Sequence, residues 1–290
     1  MPHTLLVDTD TLAAHLDDPL WVLVDCRSDP ADPEFGRTAY RAGHLPGAIF
    51  LDLDGELCGE HTGHNGRHPL PDPQRLLEVL GAAGIGPDTQ VVVYDDRGGA
   101  SAARLWWMLR WLGHEAVAVL DGGLPRWEAD GRPLVTEVPV RRPASLTGRA
   151  RDLMRVDTGF VLAGLDDPGL LLVDARVAPR YRGELEPIDP VAGRIPGAVN
   201  RPAPDNLAPD GRFRPAAELK AGFEKLMADA GARAGSEPLA PQQLVHYCGS
   251  GIAACHNLLA MEIAGLPGAR LYPGSWSEWI ADPARPVERG

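Results

Sequence analysis

One cysteine near the C-terminus lies in a loop whose composition favours a reactive thiol. The apolar run Leu244–Tyr247 ends at Cys248, and a helical pattern begins after Gly249, Ser250 and Gly251. This order predicts a strand, a tight turn and a helix, with backbone N–H groups around the sulfur. Such N–H groups and a helix N-terminus favour a thiolate and hold an anion beside it. Both glycines can take φ > 0, which lets the backbone turn tightly, and Ser250 can add a hydroxyl donor.

A cysteine in this setting attacks phosphorus or sulfur. Cysteine phosphatases use a Cys-x5-Arg loop, and the arginine position here is Ala254, so phosphoryl transfer lacks its main charge partner. Cys248, Cys255 and His256 also lack the paired spacing of a metal site, and no metal or other cofactor is predicted. Cys255 is interpreted as an inert thiol inside the helix, with a resolving cysteine as the alternative.

The composition limits the class of protein. The chain has 290 residues, of which 44% are hydrophobic and 23% charged, as in a soluble globular protein of about two domains. A net charge of -12 argues against a nucleic-acid partner or an anionic-membrane partner. No secretory signal or membrane span is predicted, and four cysteines form no disulfide framework. These features predict a cytoplasmic protein.

The sequence repeats itself once, at near-constant separation. A duplicated domain explains this better than a solenoid, whose units are shorter. We predict an inactive domain over 1–135, a linker over 136–155 and a catalytic domain over 156–290. Asp95 takes the place of Cys248 in the first copy, so only one copy keeps the nucleophile. The matching runs are VDCR (24–27) with VDAR (173–176), GHLPGA (43–48) with GRIPGA (193–198), and VYD (93–95) with HYC (246–248).

Short apolar runs alternate with helical patterns in both halves. This alternation predicts two tandem α/β domains, each a mainly parallel sheet flanked by helices, with the site beyond the strand ends. The predicted strands are Trp21–Asp25, Gln90–Tyr94, Leu170–Asp174, Leu244–Tyr247 and Ala269–Tyr272, and the predicted helices are Asp72–Ala83, Ala100–Leu112, Pro215–Ala230 and Ala253–Ala264.

The repeated motifs, together with RYRG (180–183), CGSGIAAC (248–255) and GSWSEW (274–279), cover nearly the whole chain. In this order they resemble the tandem-domain rhodanese and 3-mercaptopyruvate sulfurtransferase family. The resemblance implies two rhodanese-like domains and an enzyme that carries sulfur as a Cys248 persulfide without a cofactor. Sulfur would pass from a small anionic donor, 3-mercaptopyruvate or thiosulfate, to cyanide or a thiol acceptor such as thioredoxin. The alternative is a persulfide carrier or sensing module without turnover.

The resemblance also implies a cluster that moves protons. Its serine is Ser250, and its histidine and aspartate correspond most closely to His68 and Asp54, both within the first repeat. Asp52 is the alternative to Asp54. Two further histidines in the His68 loop leave the choice of histidine open, and the three together are also compatible with weak metal binding.

Substrate contacts are implied by the same resemblance. Arg180 corresponds to an arginine that binds the donor, and a guanidinium suits a carboxylate. A second family arginine is missing, since Ile188 holds its place, and Arg182 or Arg194 is the candidate replacement. Gly249 followed by Ser250 favours 3-mercaptopyruvate, because thiosulfate-preferring members place basic residues there. The remaining expected substrate contacts come from the loop and the helix start at Gly249, Gly251, Ile252 and Ala253.

Overall fold

The computed structural model describes residues 1–290 and divides the chain into two compact units. The segment Glu60–Pro69, which carries His68, packs with the second unit although it lies within the first repeat of the sequence. The first unit contains Met1–Gly59, Leu70–Arg151 and Leu207–Phe213, and the second contains Glu60–Pro69, Asp152–Asn206 and Arg214–Gly290.

The first unit is a five-stranded parallel sheet in the order β1-β5-β4-β2-β3, with helices in the connections between strands. Its two longest strands, β2 and β4, are buried along their whole length. Its elements are β1 Leu6–Val7, α1 Thr9–Ala14, β2 Trp21–Asp25, α2 Phe35–Ala42, β3 Ile49–Phe50, α3 Pro73–Ala82, β4 Gln90–Tyr94, α4 Ala100–Trp111, β5 Val117–Leu120 and α5 Gly123–Ala129.

The second unit is a four-stranded parallel sheet in the order β7-β6-β8-β9. The central strand β8 lies between β6 and β9, and both β6 and β8 are buried. Its helices and strands are α6 Thr158–Ala163, β6 Leu171–Asp174, α7 Ala178–Tyr181, β7 Val199–Asn200, α8 Ala216–Ala234, β8 Leu244–Tyr247, α9 Ile252–Ile263, β9 Arg270–Leu271 and α10 Ser275–Trp279.

The predicted fold class is confirmed, since both sheets are wholly parallel and their strands alternate with helices. Strands that are buried on both faces produce the continuous apolar runs that the sequence shows. Each unit has its own hydrophobic core, one including Trp127 and the other Trp276 and Trp279. None of the helices combines the length and the hydropathy that crossing a membrane requires.

The repeated motifs of the first unit meet at the end of its central strands. The Arg27 guanidinium binds Asp25 at 2.6 Å and the Gly43 carbonyl at 2.7 Å. The Tyr94 hydroxyl donates to Asp25 at 2.8 Å and accepts from the Leu45 N–H at 3.2 Å. Since buried charges need a partner, this network fixes the strand ends to the glycine-rich turn.

The second unit repeats the arrangement. Arg176 binds Asp174 at 2.7 Å and the Gly193 carbonyl at 2.7 Å, and the Tyr247 hydroxyl accepts from the Ile195 N–H at 3.3 Å. The two copies therefore keep the same residues because both sheets are held at their C-terminal edge by one buried ion pair and one tyrosine. In the second unit that edge lies directly before Cys248.

Candidate active site

Cys248 follows β8 at the C-terminal edge of the sheet, with only 3% of the residue exposed. Its sulfur accepts a hydrogen bond from the Gly251 N–H at 3.2 Å. Its own N–H donates to Ser275 Oγ at 3.1 Å, and its carbonyl accepts from the Trp276 N–H at 3.0 Å. The chain on both sides of the sulfur is therefore fixed, and an N–H group faces it, which favours a negatively charged sulfur.

The two glycines of the loop have different roles. Gly251 has φ = 82° at the N-terminus of α9, as expected. Gly249 does not use this freedom, since it is absent from the left-handed region. A Cβ at Gly249 would instead lie 3.0 Å from Arg67 Nη2 and 3.5 Å from Arg180 Nη2. Gly249 therefore leaves space for two guanidinium groups beside the nucleophile.

Ser250 and His68 lie together. Ser250 Oγ is 2.7 Å from His68 Nδ1, and the two residues are 6% and 7% exposed. The other histidines of this loop, His61 and His64, are exposed. The segment is attached by the Arg67 N–H, which donates to Ser277 Oγ at 3.0 Å. The structure thus joins one of the three histidines to the cysteine loop, and a hydroxyl bonded to an imidazole can transfer a proton.

Arg180 of α7 is held by two buried carboxylates. Its Nη2 donates to Glu186 at 2.7 Å and to Asp189 at 3.0 Å. Arg67 also forms an ion pair with Asp189, through Nη1. Burial and the Glu186 charge raise the pKa of Asp189, although both arginines oppose the shift. Two cations and two acids therefore lie beside the first peptide after Cys248.

The remaining predicted residues have the following contacts within their own units. Asp54 belongs to the first unit, where it is exposed and its N–H donates to Asp52 Oδ1 at 3.0 Å. Asp52 pairs with Arg37 at 3.1 Å. Ile252 and Ala253 are the half-buried first residues of α9.

Neither candidate replacement for the missing arginine is part of the group around Cys248. Arg182 is exposed and binds Glu184 at 2.7 Å. Arg194 is buried, binds Glu288 and the Gly290 carbonyl, and lies over the Tyr181 ring. Both guanidiniums are therefore occupied by structural partners.

Two residues of the site, Arg67 and Ser275, are not among those that the sequence predicts. Arg67 directly precedes His68, and its ion-pair partner Asp189 is 122 residues away along the chain. The acidic residues after α7 are the one feature of the sequence that indicates a positively charged partner. Ser275 is the one non-glycine residue with positive φ, at 56°. Its hydroxyl accepts from the Cys248 N–H and donates to the Tyr272 carbonyl at 2.9 Å, and this pair of bonds compensates for the strain.

The remaining cysteines are in different environments. All four cysteines are free thiols. Burial raises the pKa of Cys58 to about 12, and burial together with Asp25 raises the pKa of Cys26 well above its usual range. Cys255 is buried within α9 and donates to the Gly251 carbonyl at 3.2 Å. Cys26 and Cys58 therefore remain protonated at neutral pH.

The first unit shows what the equivalent loop holds when it lacks a cysteine. Asp95 Oδ1 accepts from the N–H groups of Arg97 at 2.9 Å and Gly99 at 2.8 Å. Its Oδ2 accepts from the Ala102 N–H at 3.0 Å. The turn between β4 and α4 thus binds an anion that belongs to the chain itself. A turn at the same place in the second unit is suited to an anionic sulfur.

Comparison with known proteins agrees with this geometry. The model of the rhodanese-like domain matches residues 8–130 and 158–282. The chain therefore belongs to the rhodanese-like family, with two tandem domains, as the sequence predicted.

Three relatives cover nearly the whole chain. A probable 3-mercaptopyruvate sulfurtransferase of Pseudomonas aeruginosa is 47% identical over 292 residues, all of both chains. A putative thiosulfate sulfurtransferase of Mycobacterium tuberculosis is 41% identical, over 94% of this chain and 92% of the relative. The crystal structure of the 3-mercaptopyruvate sulfotransferase SseA from Escherichia coli has a TM-score of 0.78 and 31% identity, over 95% of this chain and 100% of that one.

Proposed function

We propose that the protein is a sulfurtransferase that moves sulfur from 3-mercaptopyruvate, and less efficiently from thiosulfate, through a Cys248 persulfide. The observation that carries the proposal is the Cys248 sulfur facing the Gly251 N–H beside the Ser250–His68 pair. Relatives along the full chain bear the names of 3-mercaptopyruvate and thiosulfate sulfurtransferases, which supports the same class of enzyme.

In the first step the Cys248 thiolate attacks the thiol sulfur of 3-mercaptopyruvate. An S–S bond forms, and the S–C3 bond breaks with its electron pair going to C3. The thiol proton ends on C3, so the products are the persulfide and pyruvate. The sulfur is oxidised while C3 is reduced, and no external oxidant is needed. The 2.7 Å contact between Ser250 Oγ and His68 Nδ1 supports this pair as the carrier of that proton.

In the second step an acceptor attacks the outer sulfur of the persulfide. With cyanide as acceptor the product is thiocyanate, and with a thiol as acceptor the product is that thiol's persulfide. In both cases Cys248 is the leaving group and is released as a thiolate. With thiosulfate as donor, the outer sulfur is transferred and sulfite leaves with the bonding electrons. This is covalent catalysis in two half-reactions, and it predicts double-displacement kinetics.

The test compares pyruvate release from 3-mercaptopyruvate with thiocyanate formation from thiosulfate and cyanide. Cys248→Ser is expected to abolish both reactions, because the oxygen cannot carry the persulfide. Cys255→Ser is the matched control: this thiol is also buried and donates to the Gly251 carbonyl at 3.2 Å, and the variant should retain turnover. Full activity in Cys248→Ser, or a persulfide that forms but never turns over in the native protein, would refute the proposal.

An acceptor and a compartment are also part of the proposal. Cys248 must be reduced to attack, and all four cysteines are free thiols, which supports a reducing cytoplasm. A cytoplasmic thiol such as that of thioredoxin is the acceptor we propose, with cyanide as the laboratory substitute. Transfer of labelled sulfur from the persulfide to reduced thioredoxin would test this acceptor.

A further inference from the structure

The first turn of α10 holds the chain that follows Cys248. The Trp276 N–H donates to the Cys248 carbonyl at 3.0 Å, and the Ser277 N–H donates to the Gly249 carbonyl at 2.9 Å. No peptide bond of the chain is cis, and in a trans peptide the carbonyl and the N–H group point in opposite directions. Because both carbonyls face α10, the N–H groups of Gly249 and Ser250 point away from it.

Ser277 also binds the segment that carries His68. Its Oγ accepts a hydrogen bond from the backbone N–H of Arg67 at 3.0 Å and donates to the Gly274 carbonyl at 3.2 Å. The donated bond fixes the rotation of the hydroxyl, which leaves a lone pair for the Arg67 N–H. Gly66 lies against the same place, since a Cβ there would be 2.8 Å from the Gly274 oxygen and 3.1 Å from Ser277 Oγ.

His68 and Ser250 are thus connected through one residue. The Ser277 N–H holds the peptide before Ser250, and the Ser277 hydroxyl holds the residue before His68. Arg67 and Ser277 are 210 residues apart along the chain, so their hydrogen bond joins segments that no local turn connects. Residues 60–64, which come first in the segment, are exposed, so burial does not hold that side of the segment in place.

We propose that Ser277 is a positioning residue whose hydroxyl holds His68 at hydrogen-bond distance from Ser250. The inference rests on the proposed function and adds to it a residue outside the cysteine loop. Proton transfer needs the two groups in hydrogen-bond contact, and a displacement of about 1 Å would remove the 2.7 Å contact. Loss of the hydroxyl would therefore slow the step that moves a proton, while the Ser277 N–H keeps its bond to the Gly249 carbonyl.

Single-turnover rates with two donors test the role of the hydroxyl. In Ser277→Ala, pyruvate release from 3-mercaptopyruvate should slow by about tenfold or more, since a displaced proton-transfer group loses much of its contribution. Sulfite release from thiosulfate should stay within about twofold of the native rate, because thiosulfate carries no proton to move. Ser236→Ala, which removes a hydroxyl bound to the Gly231 carbonyl in the same unit, is the control and should leave both rates unchanged. Equal slowing with both donors, or native rates with both, would overturn the proposal.

A double-mutant cycle shows whether Ser277 acts through His68. In a His68→Gln background, Ser277→Ala should slow pyruvate release by less than about twofold, since the imidazole that it positions is already gone. A residue that only supported the fold would slow the reaction by the same factor in both backgrounds. Losses that multiply would therefore contradict a positioning role.

Hydrogen exchange provides a measurement that does not depend on turnover. In Ser277→Ala the protection of the Arg67 amide should fall about fivefold or more, while the Trp276 amide keeps its native protection. Unchanged protection at Arg67 would show that the hydroxyl does not hold the segment. If the native protein releases no pyruvate from 3-mercaptopyruvate, the proposed function fails, and the exchange at Arg67 still decides whether Ser277 holds the segment of His68.

Discussion

The bond between Ser250 and His68 predicts a difference between donors at the scale of single residues. 3-Mercaptopyruvate must lose a thiol proton and gain one on carbon, whereas thiosulfate carries no proton to move. Ser250→Ala should therefore lower kcat for 3-mercaptopyruvate by about 100-fold, the usual contribution of a proton-transfer group. Thiocyanate formation from thiosulfate should change by much less. Steady-state rates with both donors measure the difference.

The histidines of the same loop provide the control. His68→Gln should reproduce the loss seen in Ser250→Ala, because it removes the imidazole at 2.7 Å. His64→Gln changes an exposed histidine four residues earlier and should have no effect. Equal losses with both donors would show that Ser250 only supports the loop.

The sequence indicated some of these residues and not others, for physical reasons. Cys248 and Ser250 stand between a buried strand and a helix, a local pattern that can be read directly. The motif points to His68 but leaves its neighbouring histidines open, and burial, which only the folded structure shows, distinguishes His68 from them. Arg67 could not be found this way, because its ion pair with Asp189 joins segments that share no periodicity.

At the scale of elements, the turn between β8 and α9 predicts two distinct failures. Gly249→Ala places a Cβ 3.0 Å from Arg67 Nη2, so it should raise the KM for 3-mercaptopyruvate with little change in stability. Gly251→Ala forces φ = 82° on a residue with a side chain and should lower the free energy of unfolding by about 1–2 kcal/mol. Donor kinetics and denaturant unfolding of both variants separate the effects.

A third glycine separates the effect of backbone strain on stability from the effect on the KM. Gly265 follows α9 with φ = 71° and has open space around it. Gly265→Ala should lose stability to a similar extent as Gly251→Ala, while its KM stays native. If Gly249→Ala left the KM unchanged, the two guanidiniums would not be held against that peptide.

The elements themselves were predictable where burial imposes a pattern. The bounds of β2, β4 and β8 agree with their apolar runs, because strands of a parallel sheet are buried on both faces. The two-residue strands β1, β3 and β7 were not predicted, since two residues carry no periodicity. Those short strands are defined by pairing with a neighbour, which is tertiary information.

Across the whole molecule, the two duplicated units share one structural arrangement and differ in the residue that follows it. Both units keep the buried Asp–Arg pair that closes the sheet edge. In the turn that follows, the first unit places Asp95 among the N–H groups, and the second places Cys248. The turn with inward-facing N–H groups is thus common to both units, and the residue that it surrounds differs: an aspartate in the first unit and a cysteine in the second. The repeat was readable in sequence because the ion pair requires the same residues twice.

The ion-pair network of the second unit includes a further acid, Glu186, that the network of the first unit lacks. This difference predicts that the two units lose stability to different extents at acid pH. Burial disfavours ionised Glu186, but hydrogen bonds from Arg180 and the Asp189 N–H outweigh it and hold its pKa below the usual value of 4.5. A lowered folded-state pKa stabilises the unit above pH 4.5, and this contribution is lost as pH falls through the folded pKa. The hydrogen-exchange protection of Leu171–Asp174, corrected for the intrinsic exchange rate at each pH, should therefore fall below pH 4.5, and Glu186→Gln should flatten that response while the protection of Trp21–Asp25 keeps its native profile. An unaltered pH response at Leu171–Asp174 in the variant would show that Glu186 does not control the acid sensitivity of this unit.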